Sequence, residues 1–213
     1  MVAPVSRAIE APARTSARLA ALGGAIVLAA AIVSSAEAQG SEHRRGFWLQ
    51  GGVMGATNRV DCTNCGSFEW DQGVAAFLRA GGTISPHVLL GAEAYGFRQT
   101  DGEVAKTDIQ GLLVITEWYP WLHLGGFLKV GIGVSNLDLF INTTDGGTTQ
   151  SSKTGLAISV GFGWDIRVTN GISITPVINT YINAVGDLDV EPVGSADDVL
   201  TTLLTAGVGV TFH

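Results

Sequence analysis

The sequence predicts an all-β fold: an eight-stranded antiparallel up-and-down transmembrane β-barrel after a cleaved signal peptide. Three observations predict it. The chain begins with an export signal. Later segments place a large apolar residue at every second position, with glycine, serine or threonine between. The connections between those segments alternate between short and long.

Arg7, Arg14 and Arg18 precede an apolar run of 15 residues, Leu19 to Val33, which is followed by Ala36-Glu37-Ala38. A basic stretch, an apolar stretch and a small-x-small site mark a secretory signal over 1–38, cleaved after Ala38, with the barrel domain in 39–213. The run is short for a spanning helix, which needs about 20 residues. The chain has 213 residues, 12 basic and 19 acidic; without Arg7, Arg14, Arg18, Glu10 and Glu37, 9 basic residues remain against 17 acidic, a net charge of −8 over 175 residues. That length suits one domain with a sizeable interior. An acidic chain without a basic cluster argues against a nucleic-acid partner. No later stretch is apolar enough for a transmembrane helix.

Eight strands are expected, at 46–56, 73–84, 88–98, 108–119, 125–137, 154–167, 172–183 and 200–212. The first, "GFWLQGGVMGA", is weakly patterned and leaves its register open. Strands two and three are joined by "SPH" (85–87), four and five by "PWLHL" (120–124), six and seven by "VTNG" (168–171), all with turn residues in suitable places. The stretches near 57–72, 99–107, 138–153 and 184–199 are long and polar. All the long connections therefore leave from one end, the layout of a bacterial outer-membrane barrel with tight periplasmic turns.

The later strands assign the faces. Strand five sets Leu128, Val130, Ile132 and Val134 against Lys129, Gly131, Gly133 and Ser135. Strand six sets Leu156, Ile158, Val160, Phe162, Trp164 and Ile166 against Gly155, Ala157, Ser159, Gly161, Gly163 and Asp165. Strand seven sets Ile172, Ile174, Ile178 and Ile182 against Ser173, Thr175, Asn179 and Asn183, and its Pro176 predicts a bulge or a local break in pairing. Strand eight sets Leu204, Ala206, Val208, Val210 and Phe212 against Thr205, Gly207, Gly209 and Thr211. An eight-stranded ring has room only for modest side chains inside. The large face therefore turns to lipid, and closure pairs every backbone group, as hydrocarbon requires. Trp118, Trp164 and Phe212 lie on the apolar face near the short turns, with Trp121 in a turn, as a periplasmic-side aromatic girdle predicts. Glycines of strands five and six leave space in the lumen that Phe77, Tyr95, Phe97 and Tyr181 are placed to fill.

"GFWLQGGVMG", "LRAGGTISPHVLLGAEAYGF", "GGFLKVGIG", "GFGWDIRV" and "GVGVTFH" together resemble the small bacterial outer-membrane β-barrel domain proteins. These are relatives in architecture of the opacity-type and outer-membrane-protein-A barrels. The similarity covers 46–213 and consists of fold patterns, with no catalytic signature. It implies an integral outer-membrane protein in contact with outer-membrane lipid and lipopolysaccharide and inserted by the barrel assembly machinery, which reads a terminal aromatic residue. Here Phe212 is penultimate and His213 last. No periplasmic tether is expected after the last strand.

Cys62 and Cys65 stand in "DCTNCG" in the first long connection. No helix pattern follows, as a redox motif requires, and no further metal ligand is near, so a local disulfide is expected. His87, His123 and His213 sit at the short-turn end, and His43 precedes the first strand. A serine–histidine nucleophile cannot then assemble at the outer mouth, and no enzyme, metal or cofactor is expected. Asp61, Glu69, Asp71, Asp101, Glu103, Asp138, Asp145, Asp187, Asp189, Glu191, Asp197 and Asp198 crowd the long connections. They lack Ca²⁺-loop spacing and fit a solvated mouth.

Directly opposed residues of an antiparallel hairpin have position numbers with a constant sum. A turn centred on Pro86 gives 172 and puts Arg79 opposite Glu93; one centred on His123 gives 246 and puts Glu117 opposite Lys129. Two lumen ion pairs are expected, Arg79–Glu93 and Glu117–Lys129, with Asp165 in the same layer. The function expected is a monomeric barrel with a side-chain-packed lumen, serving envelope structure or surface interaction. The alternative is a narrow, porin-like pore or a conduit for a small hydrophobic molecule.

Overall fold

A computed structural model describes residues 46–61, 70–101, 105–142, 148–190 and 194–213. Their strands are β1 (Phe47–Asp61), β2 (Asp71–Ser85), β3 (Val88–Asp101), β4 (Ala105–Trp118), β5 (Gly126–Asn142), β6 (Thr148–Trp164), β7 (Ile166–Thr169), β8 (Ile172–Val190) and β9 (Gly194–Phe212). Neighbours pair antiparallel, β1 pairs with β9, and β6 pairs with β8. β6 and β7 are two parts of one barrel strand, so eight strands close the ring and leave no edge within the apolar band.

The break between β6 and β7 lies opposite Pro176. The β6–β8 ladder stops at Gly163↔Val177, and the β7–β8 ladder starts at Ile166↔Ile174. Proline has no N–H to give that side, yet it keeps its place opposite Val208 of β9. The Asp165 N–H turns instead to the Gly125 carbonyl, 2.9 Å away. Gly125 has φ +72°, and a Cβ there would stand 2.5 Å from the Asp165 carbonyl oxygen, so this corner requires glycine.

The faces follow the period of two. Leu128, Val130, Ile132 and Val134 of β5 are exposed on the outside, as are Leu156, Ile158, Val160 and Phe162 of β6. A water-soluble protein does not expose so continuous an apolar surface. The band ends at a polar border, where Asn136 meets Ser152 (3.1 Å) and Thr154 (3.0 Å) and Arg98 meets Asp108 through two bonds of 2.8 and 2.9 Å.

Beyond that border the described parts of the long polar connections expected from the sequence are largely β-ladder. Pairing continues to Thr100↔Lys106, Asn142↔Thr148 and Val190↔Gly194. β8 and β9 each have 19 residues, where a membrane-crossing strand needs about 9–11. Above the band neither face needs to be apolar, so hydrophobic alternation fades while backbone pairing continues.

The lumen also departs from the expectation of modest side chains. Trp48, Arg79, Tyr119, Tyr181, Phe127 and Lys129 are all fully buried. Glycines on neighbouring strands make the space. Gly52 stands opposite Phe77, Gly111 opposite Tyr95, and Gly163 opposite Phe127. A Cβ at any of the three would run into the facing ring. Trp48 turns the weakly patterned first strand inward; a Cβ on Gly91 would lie 2.9 Å from its indole.

Candidate functional site

The polar centre of the lumen is built on Arg79, Glu93, Glu117 and Lys129. The tight β2–β3 and β4–β5 turns put Arg79 opposite Glu93 and Glu117 opposite Lys129. Arg79 and Glu93 are fully buried and bonded through Nε and Oε2. The second pair differs from the expectation. Lys129 extends across β4 and donates to both Glu93 oxygens at 2.8 Å, while Glu117 lies 3.3 Å from Nη1 of Arg79. Side-chain length is the reason: the ring is narrow enough for a lysine to reach past the strand facing it. The four charges therefore form one cluster centred on the Arg79–Glu93 bond.

The guanidinium uses its remaining donors on groups the turn arithmetic did not bring in. Nη1 donates to Gln50 of β1 at 2.8 Å and Nη2 to Asn179 of β8 at 2.9 Å. Its carbon lies 4.4 Å from the centre of the Phe77 ring, and Lys129 Nζ lies 4.7 Å from that of Tyr181. One side chain of β2 thus ties β1, β3, β4 and β8 together across the lumen. Two cations and two anions cancel, and hydrogen bonds to neutral partners offset part of the desolvation cost.

Asp165 lies toward the short turns and joins through an intermediary. The Tyr119 hydroxyl donates to its Oδ2 at 3.0 Å and stands 3.4 Å from Glu117. Thr175 donates to Oδ1 at 2.8 Å and lies 2.7 Å from the Thr211 hydroxyl, and His213 Nε2 is 3.6 Å from Oδ2. Above the charges, Tyr95 and Tyr181 stack with centroids 4.1 Å apart, and Tyr95 donates to Asn183 at 2.5 Å. The arrangement is a plug of rings and ion pairs.

Trp118, Trp121 and Phe212 are exposed near the short turns, with Trp164 half-buried beside them. His87 and His123 occupy the turns, and His87 Nδ1 lies 2.7 Å from the Tyr119 carbonyl. Cys62, Cys65, His43, Glu69, Glu103, Asp145 and Glu191 lie outside the described residues. Among the described residues no group of three or more His, Cys, Asp and Glu is placed to share a metal ion.

A family model described as "Outer membrane protein beta-barrel domain" matches residues 25–212. No curated protein matches the sequence. Among solved structures, Neisserial surface protein A (NspA) is 15% identical with a TM-score of 0.52, covering 78% of this chain and 96% of that one. Ail, the attachment invasion locus protein of Yersinia pestis, is 14% identical with a TM-score of 0.52, covering 79% of this chain and 99% of that one. At such identities the likeness is one of fold.

Proposed function

The chain belongs to the outer membrane protein β-barrel domain family and lies in the outer membrane, and from that premise we propose that it is a monomeric, non-enzymatic barrel that works at the cell surface through its outer hairpins. The observation that carries this is the reach of those hairpins. The β5–β6 ladder continues to Asn142↔Thr148, whereas the β6–β8 ladder ends at Leu156↔Ala184. Above the band the ring thus opens into a polar β-wall over β3–β6 and a separate β8–β9 ribbon. Such a wall offers main-chain groups to a partner, with Ser152 and Thr154 exposed at its base. The short turns then face the periplasm, and the barrel assembly machinery delivers the chain to the membrane.

A shortened variant tests this, with Asn136 and Thr154 joined by a two-residue turn. Cells carrying it should keep the detergent resistance of cells with the full protein and lose the latter's adhesion and self-aggregation. Full restoration of adhesion would sink the surface reading. With the lumen closed by the Arg79 cluster, the purified protein should show no steady single-channel openings in planar bilayers; steady openings would contradict a closed lumen.

Export would remove 1–38 and expose Cys62 and Cys65 to an oxidising compartment. Intact-mass analysis of the outer-membrane protein should give a chain starting at Gln39 and lighter by two hydrogens, with no alkylation before reduction. Two alkylated thiols would refute the disulfide, and a retained leader would refute the cleavage.

A further inference from the structure

We infer that the membrane-facing surface at the short-turn end holds one phospholipid acyl chain in an aromatic cup centred on Gly126. On β5 the outward positions Leu128, Val130, Ile132 and Val134 are all large. Gly126 continues that face toward the short turn without a side chain, and large side chains ring the recess above it. Trp118 of β4 stands to one side, and Phe162 and Trp164 of β6 to the other. Leu128 forms the end toward the centre of the band. The turn after β4 supplies Trp121 and Leu124 as the opposite end.

The cup encloses about 430 Å³ and is lined by apolar atoms. An apolar cavity of about 150 Å³ admits a benzene, so this one has room for a length of alkyl chain. Its occupant follows from its position. The cup opens onto the apolar band that faces the bilayer, so the surface that fills it is continuous with an interface already made of lipid. An aromatic girdle needs rings at this height but no concavity. Here Trp118 and Trp121 are 49% and 59% exposed around a recess floored by Gly126.

A side chain at Gly126 provides the test. A Cβ on Gly126 would meet Trp164 at 3.5 and 3.7 Å and Phe162 at 3.9 Å, ordinary contact distances. Gly126→Leu therefore puts a residue typical of this face on the floor of the cup, where the acyl chain would have to lie. Protein extracted in a mild detergent should carry one phospholipid per barrel in native mass spectra, and Gly126→Leu none. Titration with a phosphatidylethanolamine carrying brominated acyl chains should quench tryptophan fluorescence with a component that saturates near one lipid per barrel. Gly126→Leu should abolish that component, and Trp121→Ala should weaken it several-fold while leaving every strand intact. Unchanged heat-dependent gel mobility shows that both variants fold.

Equal retention by wild type and Gly126→Leu, or quenching that never saturates, would overturn the inference and leave a plain girdle. A retained chain attached to a peptide would replace the phospholipid with a lipoprotein and overturn it as well. The choice of a phospholipid rests on the periplasmic orientation of the short turns proposed above. An epitope inserted within 143–147 and probed on whole cells checks that orientation separately. Surface exposure of the epitope without bound lipid overturns the cup alone, whereas Gly126-dependent retention of lipid A overturns both.

Discussion

Arg79→Met should destabilise the barrel by about 3–5 kcal/mol, and adding Glu93→Leu should return part of that loss. Arg79 gives its donors to Glu93, Glu117, Gln50 and Asn179, all buried. Without it Lys129 is the remaining cation of the central four, facing two carboxylates, and the Gln50 and Asn179 oxygens lose their donor. Removing Glu93 as well leaves Lys129 and Glu117, which stand opposite one another in the β4–β5 ladder and can pair. The double variant is therefore neutral at its centre where each single variant is not. Glu93→Leu alone strands two cations against Glu117 and should cost a similar amount. The measurement is a double-mutant cycle by urea unfolding in lipid vesicles. Strictly additive losses would mean that the two residues do not interact, contrary to their bond in the lumen.

What the sequence disclosed about this cluster depends on how far a turn can be trusted to carry register. "SPH" and "PWLHL" are tight enough to place Arg79 against Glu93 and Glu117 against Lys129 by counting. The "VTNG" turn could have been used likewise: it sets Gly161 opposite Asn179, beside Lys129. Gln50 could not have been found this way, because 57–72 separates it from Arg79 and offers no centre from which to count. Contacts across the ring, such as Lys129 to Glu93, follow from barrel diameter and side-chain length, neither of which is a property of one hairpin. The outer ends were misjudged for a different reason. Residues 138–153 carry no hydrophobic alternation, yet the backbone of 138–142 pairs with that of 148–152 as regularly as the band below.

The same counting reaches the glycines, and here it reverses the sign that strand propensity would give. Valine favours strands over glycine, so Gly→Val might be taken as stabilising throughout the barrel. Gly96 of β3 and Gly111 of β4 belong to adjacent ladder pairs, one facing out and the other in: Gly96 pairs with Gln110, and Gly111 with Tyr95. A Cβ on Gly96 meets nothing within 4 Å, whereas one on Gly111 falls inside contact distance of the Tyr95 ring. That ring cannot swing aside freely, since it stacks on Tyr181 and its hydroxyl is bonded to Asn183. Gly96→Val should thus be neutral or mildly stabilising. Gly111→Val should cost about 1–3 kcal/mol or more through overpacking. Tyr95→Ala alone should cost about 3–5 kcal/mol for the cavity it opens, and combined with Gly111→Val it should cost less than the two together, because the valine occupies part of that cavity. Urea midpoints of the four variants in vesicles decide the matter. Equal midpoints for Gly96→Val and Gly111→Val would mean that Tyr95 does not need the space Gly111 leaves, and the ring-against-glycine packing of the lumen would fall with it.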